Sequence, residues 1–337
     1  MNRRTGRYSL EDVARRAGVG IATVDRVLNE RGGVSMKTEQ QVLDAARALG
    51  LRRILPSPHR RQLIIEVILA RSTSPFMVRL NAAVWRVAAM LDRSVTVLRT
   101  NSDMTDPLRV ATRIRQSRAD GIIVYCEEHP ETVAAITEAS KAGRQVICIV
   151  TDVPEAVRVA YVGIDHKKAG RTAAYFVAHM GHGGGTAMVL STSLGFRAHK
   201  QRIEGFKEAL FQYAPEISIT SAFTTYDDPE RTYLYVKKAI QDNPDLAAIY
   251  NTGGGNEGVG HALRTYGAGK TILFVGHELT DESAVLLKSG IMTMAIDQAP
   301  ESQARHAIDL MVNRLRAGVG QDISNEIAFT LHTSENC

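Results

Sequence analysis

Cysteine is scarce. Cys126, Cys148 and Cys337 are the only three in 337 residues, an odd number without CxxC spacing, which excludes a disulfide framework and fits reduced thiols in a cytosolic protein. No stretch reaches 18 consecutive apolar residues, so no membrane span is expected. The N-terminal MNRRTGRYSLEDVARR starts basic but lacks the apolar core of a signal peptide, so export is not expected either. There is no HExxH, no paired Cys/His set for a metal and no G-x-S-x-G elbow for a serine nucleophile, which leaves nothing that argues for catalysis or a cofactor. What is present is ordinary: 44% hydrophobic and 23% charged residues, a globular balance long enough for two or three modules.

Charge is unevenly placed. Residues 1–62 hold 13 Lys and Arg against 6 Asp and Glu, and the rest holds 28 against 30. A small basic head on a nearly neutral body is the pattern of a nucleic-acid module joined to something else. A solubilising Arg-rich tail would give the same balance, so local pattern decides.

Ser9 with Asp12 three residues on makes a variant capping box, after which Leu10, Val13, Ala14 and Ala17 fall on one helical face. Gly18-Val19-Gly20 breaks that helix, Ile21–Leu28 forms a second ending at Asn29, and Ser35 opens a third that runs to Leu49. Helix, tight glycine turn, helix and supporting helix is the helix-turn-helix plan.

The segment LEDVARRAGVGIATVDRVLNERGGVSMKTEQQVLDAARALGL resembles the headpiece of the LacI/GalR family of bacterial transcription regulators, through its Val-Ala pair, AGV turn, ATV-x-RVLN and V-S-x-x-T run. The resemblance implies double-stranded operator DNA as partner and puts Ile21, Ala22 and Arg26 at base-reading positions. Arg26 can grip guanine bidentately, whereas Ile21 and Ala22 offer only apolar contact to a thymine methyl. Thr23 and Asn29 would contact phosphate or cap the helix, fixing register without reading sequence. Gly20 and Asp25 stand where the family usually has serine; Asp25 would repel phosphate unless Arg26 or Arg31 neutralises it.

Residues 52–62, RRILPSPHRRQ, form a linker by composition. The family commonly places a groove-wedging hinge helix here, but Pro56 and Pro58 disfavour a helix spanning them. Arg52, Arg53, Arg60 and Arg61 remain available to phosphates.

From residue 63 onward, eleven apolar runs alternate with helical stretches, from Leu63–Ala70 to Ile327–Leu331. Continuously apolar strands indicate sheets covered on both faces, and the helices between them indicate βαβ crossovers. The expected fold is therefore a small all-α headpiece, residues 1–51, plus a two-lobed α/β body, residues 63–337, each lobe a doubly wound, mostly parallel sheet. Lobe one is placed at about 63–164 and 297–320, and lobe two at about 165–296 and 321–337. Such sheets bind ligands at the carboxyl ends of their strands. The residues there are Ser74, Phe76, Asp152, Asp165, Arg197, Arg202, Asn251, Asn256, Glu278, Asp297 and Gln298. Carboxylates, amides and arginines beside aromatics suit a polyhydroxylated ligand.

TSPF, NSD, DGIIV, YVGID-x-x-x-AGR, R-x-EGF, VGHE and IDQ-x-P are similar to the ribose-binding-protein-like lobes of the same family. The resemblance implies stacking by Phe76 and Tyr226, hydroxyl contacts from Arg202 and Gln298, and a homodimer. Glu278 takes a place usually held by aspartate, and Gly253 replaces a polar side chain. Two alternatives stay open on residues alone. Gly253–Gly258 satisfies G-x-G-x-x-G, with Glu278 twenty residues beyond, as in an NAD-dependent enzyme. A transport binding protein would share the body but not the head.

Overall fold

The computed structural model describes residues 9–29, 31, 33–50, 62–71, 74–103, 106–181, 183–269, 271–317 and 326–337. The chain separates into two compact units, Met1–Gln62 and Leu63–Cys337. Of the linker at 52–62, residues 52–61 lie outside the described residues.

The first unit is three helices, α1 (Leu10–Ala17), α2 (Ile21–Leu28) and α3 (Met36–Ala48). Ser9 and Asp12 form the capping box, each side chain accepting from the other's backbone N–H. Gly18, left-handed at φ 68°, ends α1, a conformation that costs a residue with Cβ about 1–2 kcal/mol. Val13, Val24, Val27, Val42 and Leu43 make the core, each such burial contributing roughly 1.5–3 kcal/mol.

The second unit has two sheets. Lobe one carries β1 (Leu63–Ala70), β2 (Val95–Ser102), β3 (Gly121–Val124), β4 (Gln145–Ile149) and β5 (Ala160–Val162) in the order β2-β1-β3-β4-β5, all parallel. Its crossovers are α4 (Pro75–Ala89), α5 (Pro107–Gln116) and α6 (Pro130–Lys141). Lobe two carries β6 (Gly185–Ser191), β7 (Ile217–Thr224), β8 (Leu246–Asn251), β9 (Leu273–His277), β10 (Met294–Asp297) and β11 (Thr330–His332) in the order β11-β10-β9-β8-β6-β7. Only β11 runs antiparallel there. Its helices are α7 (His166–Met180), α8 (Arg197–Tyr213), α9 (Pro229–Asp242), α10 (Asn256–Tyr266) and α11 (Asp281–Lys288).

After β10 the chain returns to lobe one as α12 (Pro300–Ala317), whose Ala304, Ala307, Ile308 and Met311 join the lobe-one core. It then comes back to lobe two as β11, passing Glu326, which bridges to Gly163. All eleven expected strands are present, their ends displaced by up to three residues.

α7 and α8 pack backbone against backbone. A Cβ on Gly170 would stand 2.0 Å from the Arg202 carbonyl oxygen, and one on Gly205 2.1 Å from that of Lys167. Glycine at both places lets the helices touch and brings the start of α7 beside Arg202.

Candidate functional site

In the first unit the sequence pattern divides α2 into two faces. Val24, Val27 and Leu28 are buried, while Ile21, Ala22 and Arg26 are exposed together and Thr23 is half-buried. Ile21 is 48% exposed, which leaves an apolar side chain facing solvent. Gly20 caps α2 without a side-chain hydrogen bond. Asn29 is the C-cap, and its Nδ2 donates to Asp25 Oδ1 at 2.6 Å. Arg31 donates to Asp25 Oδ2 at 3.0 Å, so Arg31 is the cation that neutralises this carboxylate.

In the second unit the cleft residues sit where strands of both lobes end. Arg202, on the second turn of α8, is only 2% exposed. Its Nε donates to His166 Nδ1 at 3.1 Å, its Nη1 to the Thr252 carbonyl at 2.5 Å and its Nη2 to Gln298 Oε1. Gln298 Nε2 in turn donates to Glu278 Oε1 at 2.5 Å. Because a guanidinium only donates, His166 must accept at Nδ1 and carry its proton on Nε2, which donates to the Val150 carbonyl at 2.6 Å.

Two further imidazoles close around the arginine. His199 Nδ1 lies 3.1 Å from Thr252 Oγ1, and His277 Nε2 lies 3.0 Å from the Tyr250 hydroxyl. Burial, reinforced by the Arg202 charge, holds His166 and His277 well below the usual imidazole range and His199 at about 3, so all three are neutral at pH 7. Burial, with help from the charge of Asp297, pushes Glu278 up to about 8, against the opposing pull of Gln298 and Arg202. Asp227 is likewise raised by burial, although Thr192 Oγ1 and the Gly254 N–H both donate to it. Asp297 remains paired: it accepts from Arg79 at 2.5 Å and from the backbone N–H of Leu279 and Ala299.

Backbone strain gathers at the same strand ends. Val150, Tyr226, Asp227, Glu278 and Ala299 all have φ between 52° and 71°, a left-handed region that non-glycine residues rarely occupy.

The expected site residues divide into three groups. Arg202, Glu278, Asp297 and Gln298 come together, with the Asn251–Asn256 loop against them through Thr252. The amide of Asn251 is taken up within that loop, donating to the Gly254 carbonyl and Asn256 Oδ1, while Asn256 Nδ2 donates outside it to the His277 carbonyl. Others are occupied elsewhere. Asp165 accepts from the Lys168 N–H as N-cap of α7 and pairs with Lys168 Nζ; Asp152 is clamped by Arg158 at 2.5 Å; Arg197 pairs with Glu128 at 3.1 Å. Ser74 precedes α4 as its N-cap, and Phe76 in the first turn packs partly onto the lobe-one core. Tyr226 is 59% exposed, with the Arg231 guanidinium 5.2 Å from its ring centroid.

Gly253 and Gly254 have steric reasons to be glycine. A Cβ on Gly253 would stand 2.0 Å from Thr192 Oγ1, and one on Gly254 2.7 Å from the Asp227 carboxyl, so these glycines are required by neighbouring side chains. Cys126 and Cys148 are fully buried, and burial raises both thiols, Cys148 to about 12.

Sequence reasoning missed His166, His199, His277, Asp227 and Arg79. The signal for His166 was available, because it directly follows the Asp165 cap.

Residues 9–53 match the model of bacterial regulatory proteins, lacI family, and residues 65–319 match that of a periplasmic binding protein domain. The HTH-type transcriptional regulator DegA of Bacillus subtilis (strain 168) is 27% identical over 210 residues, a match spanning 60% of this chain and 60% of DegA's length. The ribose operon repressor of Halalkalibacterium halodurans is 24% identical over 256 residues, 72% of this chain and 70% of that protein. Among solved structures, a solute binding protein of an ABC transporter from Burkholderia graminis, in complex with D-arabinose, has a TM-score of 0.76 at 22% identity, covering 83% of this chain and 98% of its own. GanP, a glucose-galactose binding protein from Geobacillus stearothermophilus, reaches 0.74 at 20%, covering 81% and 98%. These two structural likenesses show the fold of the body.

Proposed function

Because this chain belongs to the lacI family of bacterial regulatory proteins, we propose that it regulates transcription as a homodimer, reading operator DNA with α2 and answering to a small polyhydroxylated effector. The exposed ridge of Ile21, Ala22 and Arg26 supports base reading, and Arg26 is the side chain suited to guanine. Thr23 and Asn29 would fix register, Asn29 through the end of the helix that it caps.

The observation that carries the effector reading is the buried run Arg202–Gln298–Glu278. Donors and acceptors alternate there at fixed geometry and bind hydroxyls that present one of each. A relative whose name includes ribose, and solved structures whose titles include arabinose, glucose and galactose, point to sugar chemistry. A homodimer finds support in the outer face of α4, where Val78 and Trp85, seven residues apart on one face, are 54% and 57% exposed. No helix among the described residues is long and apolar enough to cross a membrane.

A thermal-shift screen of the purified protein against pentoses, hexoses, polyols and their acids tests the effector reading. A ligand at about 100 times its Kd adds roughly 2.7 kcal/mol, a shift that is readily seen. Absence of any shift across the panel contradicts a sugar or polyol effector.

A further inference from the structure

The two lobes also meet away from the crossings. Beyond β6, the segment 192–196 leaves its own sheet and enters the other lobe: Phe196, N-cap of α8, is 6% exposed and belongs to the lobe-one core. Its ring stacks on Tyr125 with centroids 4.8 Å apart and planes 8° from parallel. Hydrogen bonds flank the stack. The Glu128 N–H donates to the Gly195 carbonyl at 3.0 Å, the Ala198 N–H to Thr151 Oγ1 at 3.2 Å and Ser193 Oγ to Glu127 Oε1 at 2.8 Å. Glu128 also pairs with Arg197 and Lys200 of lobe two. A Cβ on Gly195 would stand 2.2 Å from the Glu127 carboxyl carbon, so a side chain there must displace the carboxylate that accepts from Ser193.

We propose that residues 192–200 form a clasp that holds the lobes shut through the chain's own contacts, and that an effector enters the cleft only when the clasp releases. An apolar plug in the partner lobe, backbone bonds and ion pairs act at one place, so releasing the clasp exposes the Phe196 ring and frees buried polar groups at once. Such an element has two arrangements rather than a continuum, and its closed population sets how fast ligand exchanges. The clasp rests on the body's geometry alone; only its consequence for ligand entry rests on the effector reading above.

Hydrogen exchange on the full chain without sugar tests the clasp directly, because the Glu128 and Ala198 amides donate across the lobes. Both are expected to be protected, while Gly195→Ala lowers their protection at least tenfold and leaves the sheet amides of Ile122 and Ile147 unchanged. Adding Glu127→Gly removes the colliding carboxylate, at the loss of the Ser193 hydrogen bond, and restores protection in part. Glu128→Gln, which adds no bulk, lowers protection at both amides two- to fivefold. Exchange at Glu128 and Ala198 in the parent protein as fast as at exposed loop amides overturns the clasp. So does a double variant as open as Gly195→Ala, or a Glu128→Gln variant with unchanged protection at both amides. Loss of protection at Ile122 and Ile147 would mark unfolding of Gly195→Ala, and the Glu128→Gln result then decides.

Discussion

Arg202 and Glu278 are joined through a single amide: Gln298 accepts from the guanidinium at Oε1 and donates from Nε2 to the carboxyl group. The cation therefore has only uncharged direct partners, His166, the Thr252 carbonyl and Gln298, and its nearest acid sits one side chain away. Arg79 Nη1 stands 3.7 Å from the other Glu278 carboxyl oxygen, yet burial outweighs both cations and governs its ionisation.

Stability is expected to fall as pH rises. Glu278 has its folded value raised to about 8, above that of an unfolded glutamate, so the folded state holds a proton that the unfolded state has released. The stabilising contribution is complete below the unfolded value and disappears as pH climbs through about 8, with a slope of up to about 1.4 kcal/mol per pH unit. Denaturant titrations of parent and Glu278→Gln between pH 5 and 9 check the sign. The variant should keep its stability at pH 8.5 while the parent loses some; parallel curves would remove Glu278 as the cause.

Removing the guanidinium should hurt both folding and ligand response. Arg202→Leu leaves His166 Nδ1, the Thr252 carbonyl and Gln298 Oε1 without their donor, at about 1–3 kcal/mol for each buried acceptor left unpaired. The expected result is a lower melting temperature together with loss of any sugar-induced shift. A variant that keeps the shift would place the ligand elsewhere.

On DNA, Asp25→Ser should tighten binding. The substitution removes a negative charge from the reading helix and frees Arg31 and Asn29, which now hold it. Binding to a random-sequence duplex should strengthen and its salt dependence steepen by about one phosphate contact. Unchanged or weaker affinity would mean that Asp25 serves to position Arg31.

Arg26→Ala should act differently, relaxing preference at one base pair per half-site for about 1–3 kcal/mol. Equal loss on all sequences would move Arg26 to the phosphate contacts.

Oligomeric state should depend on α4. Trp85→Glu puts a charge on the exposed apolar face and is expected to convert dimer to monomer in light scattering at micromolar concentration. A dimer unaffected by it uses another surface.

The elements were legible because their signals are local. Ser9 and Asp12 close a capping box within three residues, and runs such as Leu63–Ala70 are apolar except at Glu66, which Arg113 pairs, because helices cover both faces of the sheet. The cleft was only partly legible. Gln298 and Glu278 followed from position at strand ends and from family likeness, and Arg202 from family likeness although it and Arg197 lie inside α8 rather than before it; the three imidazoles around them meet only once α7, α8 and β9 converge, and nothing local marks that. Asp165 shows the converse: a carboxylate after a strand is also one before a helix, and the backbone of α7 uses it as a cap. Phe196 reads as a loop residue until the opposite lobe supplies Tyr125 beneath it.

The most direct test of the central claim is to select duplexes from a randomised pool with the purified protein, then measure fluorescence-anisotropy titrations of the enriched duplex with and without each sugar of the thermal-shift panel. The account predicts a near-palindromic sequence and at least one sugar that changes its Kd by about 5- to 150-fold, the usual range of coupling between two sites. No enriched sequence, or an enriched sequence whose affinity no sugar alters, would contradict a DNA-binding regulator answering to such an effector.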